Sequence, residues 1–152
     1  MKKPLFPLVL VFIFVALSIG IYSMSEPLAN TKELYSPADR IKINDIELSN
    51  DKITINLDNA VLAEFEDTNS MDPVLDDGTT AIEIIPEKES ELIIGDIIVY
   101  ESDYGDIIHR IDEISSDDQG TYFVMKGDNN YDSDPYRVRF NQIKYVLVGV
   151  LY

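Results

Sequence analysis

The stretch "GDIIVYESDYGDIIHRIDEI" (residues 95–114) decides how the chain folds. Two apolar runs, Gly95 to Ser102 and Asp106 to Ile114, flank a Tyr104-Gly105 turn, the pattern of two strands in a hairpin. The second run alternates, so His109 and Arg110 are expected on opposite faces of its strand.

Outward from this hairpin the same grammar recurs. Residues 80–85 ("TAIEII"), 121–127 ("TYFVMKG") and 145–152 ("YVLVGVLY") read as further strands, and Ala60 to Phe65 as a strand or a short helix. Turn signals separate them at Asp77-Gly78, at Asp117 to Gly120 and along Asp128 to Asp134. Upstream, Ile41 and Ile43, then Ile46 and Leu48, then Ile53, Ile55 and Leu57 form runs at period two, with an Asn50-Asp51 turn between the last two runs, which predicts another hairpin. Short strands joined by tight turns describe a mainly β fold, a compact coiled antiparallel domain over residues 41–152.

The N-terminus differs. Lys2 and Lys3 precede nineteen uncharged residues, Pro4 to Tyr22, a helix of about 28 Å against a hydrocarbon core of roughly 30 Å. One N-terminal transmembrane helix (residues 1–23) followed by a spacer (24–40) is the expectation. The rival is a cleaved signal peptide with Ala16-Leu17-Ser18 as its small-residue site. The apolar run continues past that site through Ile19 and Ile21, which favours a retained anchor. Both lysines lie on the short side, so the N-terminus is expected in the cytoplasm and the β domain outside.

Composition excludes several classes. With 12 Lys plus Arg against 28 acids and a formal charge of −16, there is no basic face for nucleic acid. The absence of cysteine removes thiolate catalysis and disulfides, and a single histidine removes His-rich metal sites. No cofactor is expected.

Taken one at a time, the reactive residues are ambiguous. Ser70 is a turn hydroxyl or a nucleophile, His109 a packed histidine or a base, and the "KGDNN" run (126–130) a loop whose side chains bond local amides. Lys126 reads as a solvated strand end, and Arg110 as the partner of surface acids.

Their order is more telling. Ser-Met-x-Pro (Ser70 to Pro73), "GDIIVY" (95–100), "HRI" (109–111), "KGDNN" and then Asp134 together resemble the type I signal peptidase family, in its archaeal and endoplasmic-reticulum branch, over residues 67–152. The resemblance implies a signal-peptidase/LexA-like β domain with Ser70 as nucleophile and His109 as general base. Asp134 matches the acidic partner of the histidine, and Asp128 an aspartate needed for activity. Thr68 stands where the family often has an oxyanion-binding serine, to act with the Ser70 backbone amide. Met71 and Pro73 would hold the nucleophile turn, and the strands at residues 80–85 and 95–100 would offer backbone to an extended substrate with small residues one and three before the cut.

Two features depart from the family pattern. Gly78-Thr79 stands where many members have Gly-Asp, and the interval from His109 to Lys126 has no room for a large inserted domain. The implied activity is removal of signal peptides from exported preproteins, with the lipid bilayer and accessory membrane subunits as further partners. The other readings are a related protease with one pilin-like or secreted client, and a catalytically silent, membrane-tethered binding domain. A LexA-like self-cleaving repressor is opposed by the apolar N-terminus and the acidic charge.

Overall fold

A computed structural model describes residues 33–152, and residues 34–152 form one compact unit. The expected membrane anchor (1–23) and the first part of the spacer lie outside the described residues. Among the described residues no helix is long and apolar enough to cross a membrane.

The described chain is mainly β. Strands β1 (Ile46–Ser49) and β2 (Lys52–Ile55) form a two-stranded sheet of their own. Strands β3 (Ala60–Glu64), β4 (Thr80–Ile84), β5 (Ile97–Ser102), β6 (Gly105–Asp117), β7 (Gly120–Lys126), β8 (Arg137–Val138) and β9 (Ile143–Leu151) form a second sheet. Its order is β3-β4-β9-β5-β6-β7-β8, and every neighbouring pair is antiparallel. Register shifts interrupt β4–β9, β5–β9 and β6–β7, and such bulges bend and coil a sheet.

β5 explains the long apolar run of the opening stretch. Ile97, Ile98, Val99 and Tyr100 are all buried, because this central strand is covered on both faces. Ile98 and Tyr100 join one core with Ile111, Phe123, Met125 and Val146. Ile97 joins another with Met71, Leu75, Ala81 and Leu147.

The first hairpin turns at Asn50 (φ 47°) and Asp51 (φ 63°), the left-handed pair that a two-residue turn requires. The alternation does not extend back to Ile41. Ile43–Asp45 is a single 3-10 turn, in which the Asp45 carboxylate and amide bond the Lys42 amide and carbonyl, each at 2.9 Å. That local closure competes with an extended backbone. Residues 60–64, open between strand and helix, form a strand paired with β4 throughout.

The compact unit starts at Leu34 rather than at Ile41, since part of the expected spacer is stitched to the sheet. The fully buried Asp96 accepts the Ala38 amide at 2.9 Å, the Ile93 amide at 3.0 Å and an Arg40 guanidinium N–H. Gly95 (φ +102°) is required there, because a Cβ would lie 2.5 Å from the Ser36 carbonyl oxygen.

Candidate active site

The β5–β6 ladder sets the first half of the site. Counting from the turn, Ser102 pairs with Gly105, Tyr100 with Ile107 and Ile98 with His109. Cross-strand partners share a face, so Tyr100 stands diagonally next to His109. Both reach Asp134: His109 Nδ1 lies 2.6 Å from Asp134 Oδ2, and the Tyr100 hydroxyl donates to the same oxygen at 2.8 Å. The Asp134 amide in turn donates to the Met125 carbonyl at 2.7 Å, which ties its loop to β7. Burial first, and then the bond to Asp134, drive the Tyr100 pKa far above the ordinary phenol range, so it remains a donor. A carboxylate against Nδ1 selects the tautomer with hydrogen on Nδ1 and a lone pair on Nε2.

Ser70 comes from the other side. It follows β3 by six residues, after Asn69 in the left-handed region (φ 58°). Met71 and Leu75 are buried in the second core and seat the turn, whose Asp72–Pro73 peptide is cis. Asn129 clamps the turn twice, with its amide on the Ser70 carbonyl at 3.0 Å and its side chain on the Asn69 carbonyl at 2.9 Å. Thr68 Oγ1 lies 3.3 Å from Ser70 Oγ. Among the described residues no acceptor takes the Ser70 amide hydrogen.

The halves meet at Gly127. The last pair of the β6–β7 ladder here is Arg110 with Lys126, so one further step sets Gly127 across from His109. A Cβ on Gly127 would come within 2.6 Å of the Ser70 carbonyl oxygen. Residues 127–134 thus carry the serine turn at one end and the histidine's carboxylate at the other. Among the described residues the Ser70 hydroxyl bonds Thr68, and no hydrogen bond joins it to His109.

Asp128 is placed elsewhere. It faces Arg110 in a two-pronged pair, Nε to Oδ1 at 2.7 Å and Nη2 to Oδ2 at 2.6 Å. Arg110 also donates to the Gly95 carbonyl at 2.8 Å and the Tyr35 carbonyl at 3.1 Å. The expectation that Arg110 pairs with surface acids is therefore corrected, since the pair is buried and braces the start of the 127–134 loop. Asp134, not Asp128, orients His109. Lys126 Nζ donates to the Tyr131 carbonyl at 2.8 Å.

A cavity of about 450 Å³ opens beside Ser70 and Thr68. Phe65, Glu83, Ile107 and Ile108 belong to its lining. The strands expected to receive substrate, β4 and β5, lie inside the sheet between paired neighbours and are not its edge strands. Besides β8 at the far end of the sheet, the outer side of β3 and the first half of β6 are open, because β7 pairs β6 only from Arg110 onward. The β3 and β6 edges border the cavity.

Three contributors escaped the sequence reading. Tyr100 was detectable, since counting the ladder outward from Tyr104-Gly105 puts it on the His109 face. Glu83 carried a weaker signal, a lone acid amid the apolar residues of "TAIEII". Asn129 has none beyond its place in "KGDNN". No family model, curated protein or solved structure matches this chain.

Proposed function

We propose that the chain is a membrane-anchored serine endopeptidase of signal-peptidase type, with its β domain on the extracytoplasmic side, removing N-terminal signal peptides from exported preproteins. One observation carries the reading: a single loop, residues 127–134, both grips the Ser70 turn and supplies the carboxylate of His109. An ordinary turn serine has no need of a tautomer-fixed imidazole across the adjoining glycine.

In this mechanism the Ser70 hydroxyl attacks the scissile carbonyl while His109 Nε2 takes its proton. Asp134 stabilises the imidazolium, helped by the Tyr100 hydroxyl on the same oxygen. The Ser70 amide and the Thr68 hydroxyl stabilise the oxyanion. His109 then protonates the leaving amine, and water resolves the acyl-enzyme by the same route. Substrate lies extended between the open edges of β3 and β6, accepting backbone hydrogen bonds as an added strand.

A second reading, a related protease with one narrow client, is favoured by the buried acid in the cavity, which a general pocket for small residues does not need. The test of the leading reading uses the full-length protein in detergent with an exported preprotein, and mass spectrometry of the products. Cleavage at the small-residue site, lost in Ser70→Ala, is the expected result. Equal cleavage by the alanine variant would overturn it.

A further inference from the structure

The peptide between Asn69 and Ser70 is held on one side and free on the other. Its carbonyl oxygen accepts Asn129 Nδ2 at 2.9 Å. The bond is trans, since the cis peptide among the described residues is Asp72–Pro73. In a planar trans peptide the C=O and the N–H point in opposite directions. The Ser70 amide is therefore aimed away from Asn129, and among the described residues no acceptor takes its hydrogen. A backbone donor fixed in direction and left unpaired is what a developing oxyanion requires.

The next peptide is held by the same residue. The Ser70 carbonyl accepts the Asn129 backbone amide at 3.0 Å. Two peptide planes flank the Ser70 Cα, and their rotations are its two soft backbone dihedrals. Asn129 fixes both, one through its side chain and one through its backbone. Among the described residues no other side chain bonds either carbonyl. Upstream, Asn69 sits in the left-handed region at φ 58°, with its own Nδ2 on Asp67 Oδ1 at 3.2 Å. A residue held there persists where its surroundings over-determine it. The Asn129 bond, across sixty residues of chain, is the long-range part of that constraint.

We propose that Asn129 is the positioning residue of the oxyanion site, turning the Ser70 amide toward the oxygen of the attacked carbonyl. The proposal rests on the peptidase reading. Asn129 acts through the 69–70 peptide rather than on the substrate. It is exposed and belongs to neither core, so its replacement leaves the packing of the sheet in place.

Two variants separate the effects. Asn129→Ala removes the donor. Asn129→Asp keeps the size and the backbone bond, but its carboxylate cannot donate and repels the Asn69 carbonyl. The full-length proteins in detergent are assayed with an exported preprotein and with a peptide aldehyde ending in alanine. On the aldehyde, a bond forms from Ser70 Oγ to the carbonyl carbon as the C=O π bond breaks. The electron pair goes to the oxygen and the Ser70 proton to His109, so an oxyanion forms without a leaving group. Asn129→Ala should lower kcat about tenfold, the scale of one hydrogen bond, and Asn129→Asp about a hundredfold, the scale of a lost oxyanion donor. KM should stay within about twofold, and aldehyde affinity should fall by the same factors as kcat. Aldehyde binding should move the Ser70 amide proton downfield in the wild type and less in Asn129→Asp. Unchanged kcat and aldehyde affinity in Asn129→Asp would overturn the proposal. So would a loss of kcat matched by equal losses in KM and in urea stability, the mark of loop packing alone. A wild type that neither cleaves the preprotein nor binds the aldehyde would overturn the peptidase reading itself, and the oxyanion role with it.

Discussion

His109 and Asp134 are joined Nδ1 to Oδ2 at 2.6 Å, and the Tyr100 hydroxyl bonds that same oxygen at 2.8 Å. The carboxylate thus accepts two donors on one atom, which fixes it and, through it, the imidazole. Asp134→Asn should leave the fold intact and lower kcat by about 10³- to 10⁴-fold, because an amide no longer selects the productive tautomer. Tyr100→Phe removes one of two donors and should cost about tenfold, the scale of one hydrogen bond to a charged group. A phenylalanine variant as crippled as the asparagine one would contradict these roles.

The Ser70 turn depends on the missing side chain of Gly127. A Cβ there would meet the Ser70 carbonyl oxygen at 2.6 Å and the Asn130 side-chain nitrogen Nδ2 at the same distance. Backbone must give way, so Gly127→Ala should push the turn from its seat and lower kcat/KM by about a hundredfold or more. KM should move less than kcat, since the β3 and β6 edges remain. Wild-type kinetics in this variant would mean that the 127–134 loop does not set the nucleophile's position.

Thr68 is tested by exchange for valine, which keeps shape and removes the hydroxyl. With Thr68 Oγ1 poised 3.3 Å from Ser70 Oγ, loss of an oxyanion donor should lower kcat by about 10²- to 10³-fold with KM little changed. Thr68→Ser should restore most of it. If valine and serine variants behave alike, the Thr68 hydroxyl does not contact the oxyanion.

Local features were legible in the sequence and non-local ones were not. Asn50-Asp51 and Tyr104-Gly105 announced their hairpins because turn chemistry acts within a few residues. Ile43 misled, because Asp45 closes a 3-10 turn that hydrophobic spacing does not register. Which strands form the edges depends on β9 threading between β4 and β5, a pairing across more than forty residues that alternation does not encode. The same limit hid the partner of Arg110. Its face on β6 was readable, but Asp128 reaches it only once β7 is laid alongside.

That buried Arg110–Asp128 pair should be a matter of stability more than of chemistry. Removing one member strands the other charge, and Asp128→Ala should cost about 3–5 kcal/mol in urea unfolding. Arg110→Met, which strands Asp128, should cost a similar amount. The double variant should recover part of the loss, because neither charge is then left alone. Additive losses would mean that the two residues act independently despite their two-pronged contact.

The buried Glu83 makes stability depend on pH in an unusual direction. Its carboxyl has an ordinary value of 4.5 and about 7 in the fold, raised by burial. Between these values the folded protein holds the proton and the unfolded chain has released it, so stability falls as pH rises. Full stability from this group is present below about 4.5, and the loss is nearly complete above 7, amounting to about 3 kcal/mol. Asp117 acts with the opposite sign and in another window. The hydrogen bond from Arg139, foremost among several, holds it down to about 2 against 3.8, so its contribution is lost only as pH falls below that ordinary value. Glu83→Gln keeps the shape of the protonated acid and cannot ionise. Urea unfolding of both full-length proteins should nearly coincide at pH 5, and at pH 8 the glutamine variant should be the more stable by about 3 kcal/mol. A difference that stays constant from pH 5 to 8 would mean that Glu83 titrates alike in the folded and unfolded chain, and that its burial exacts no electrostatic cost.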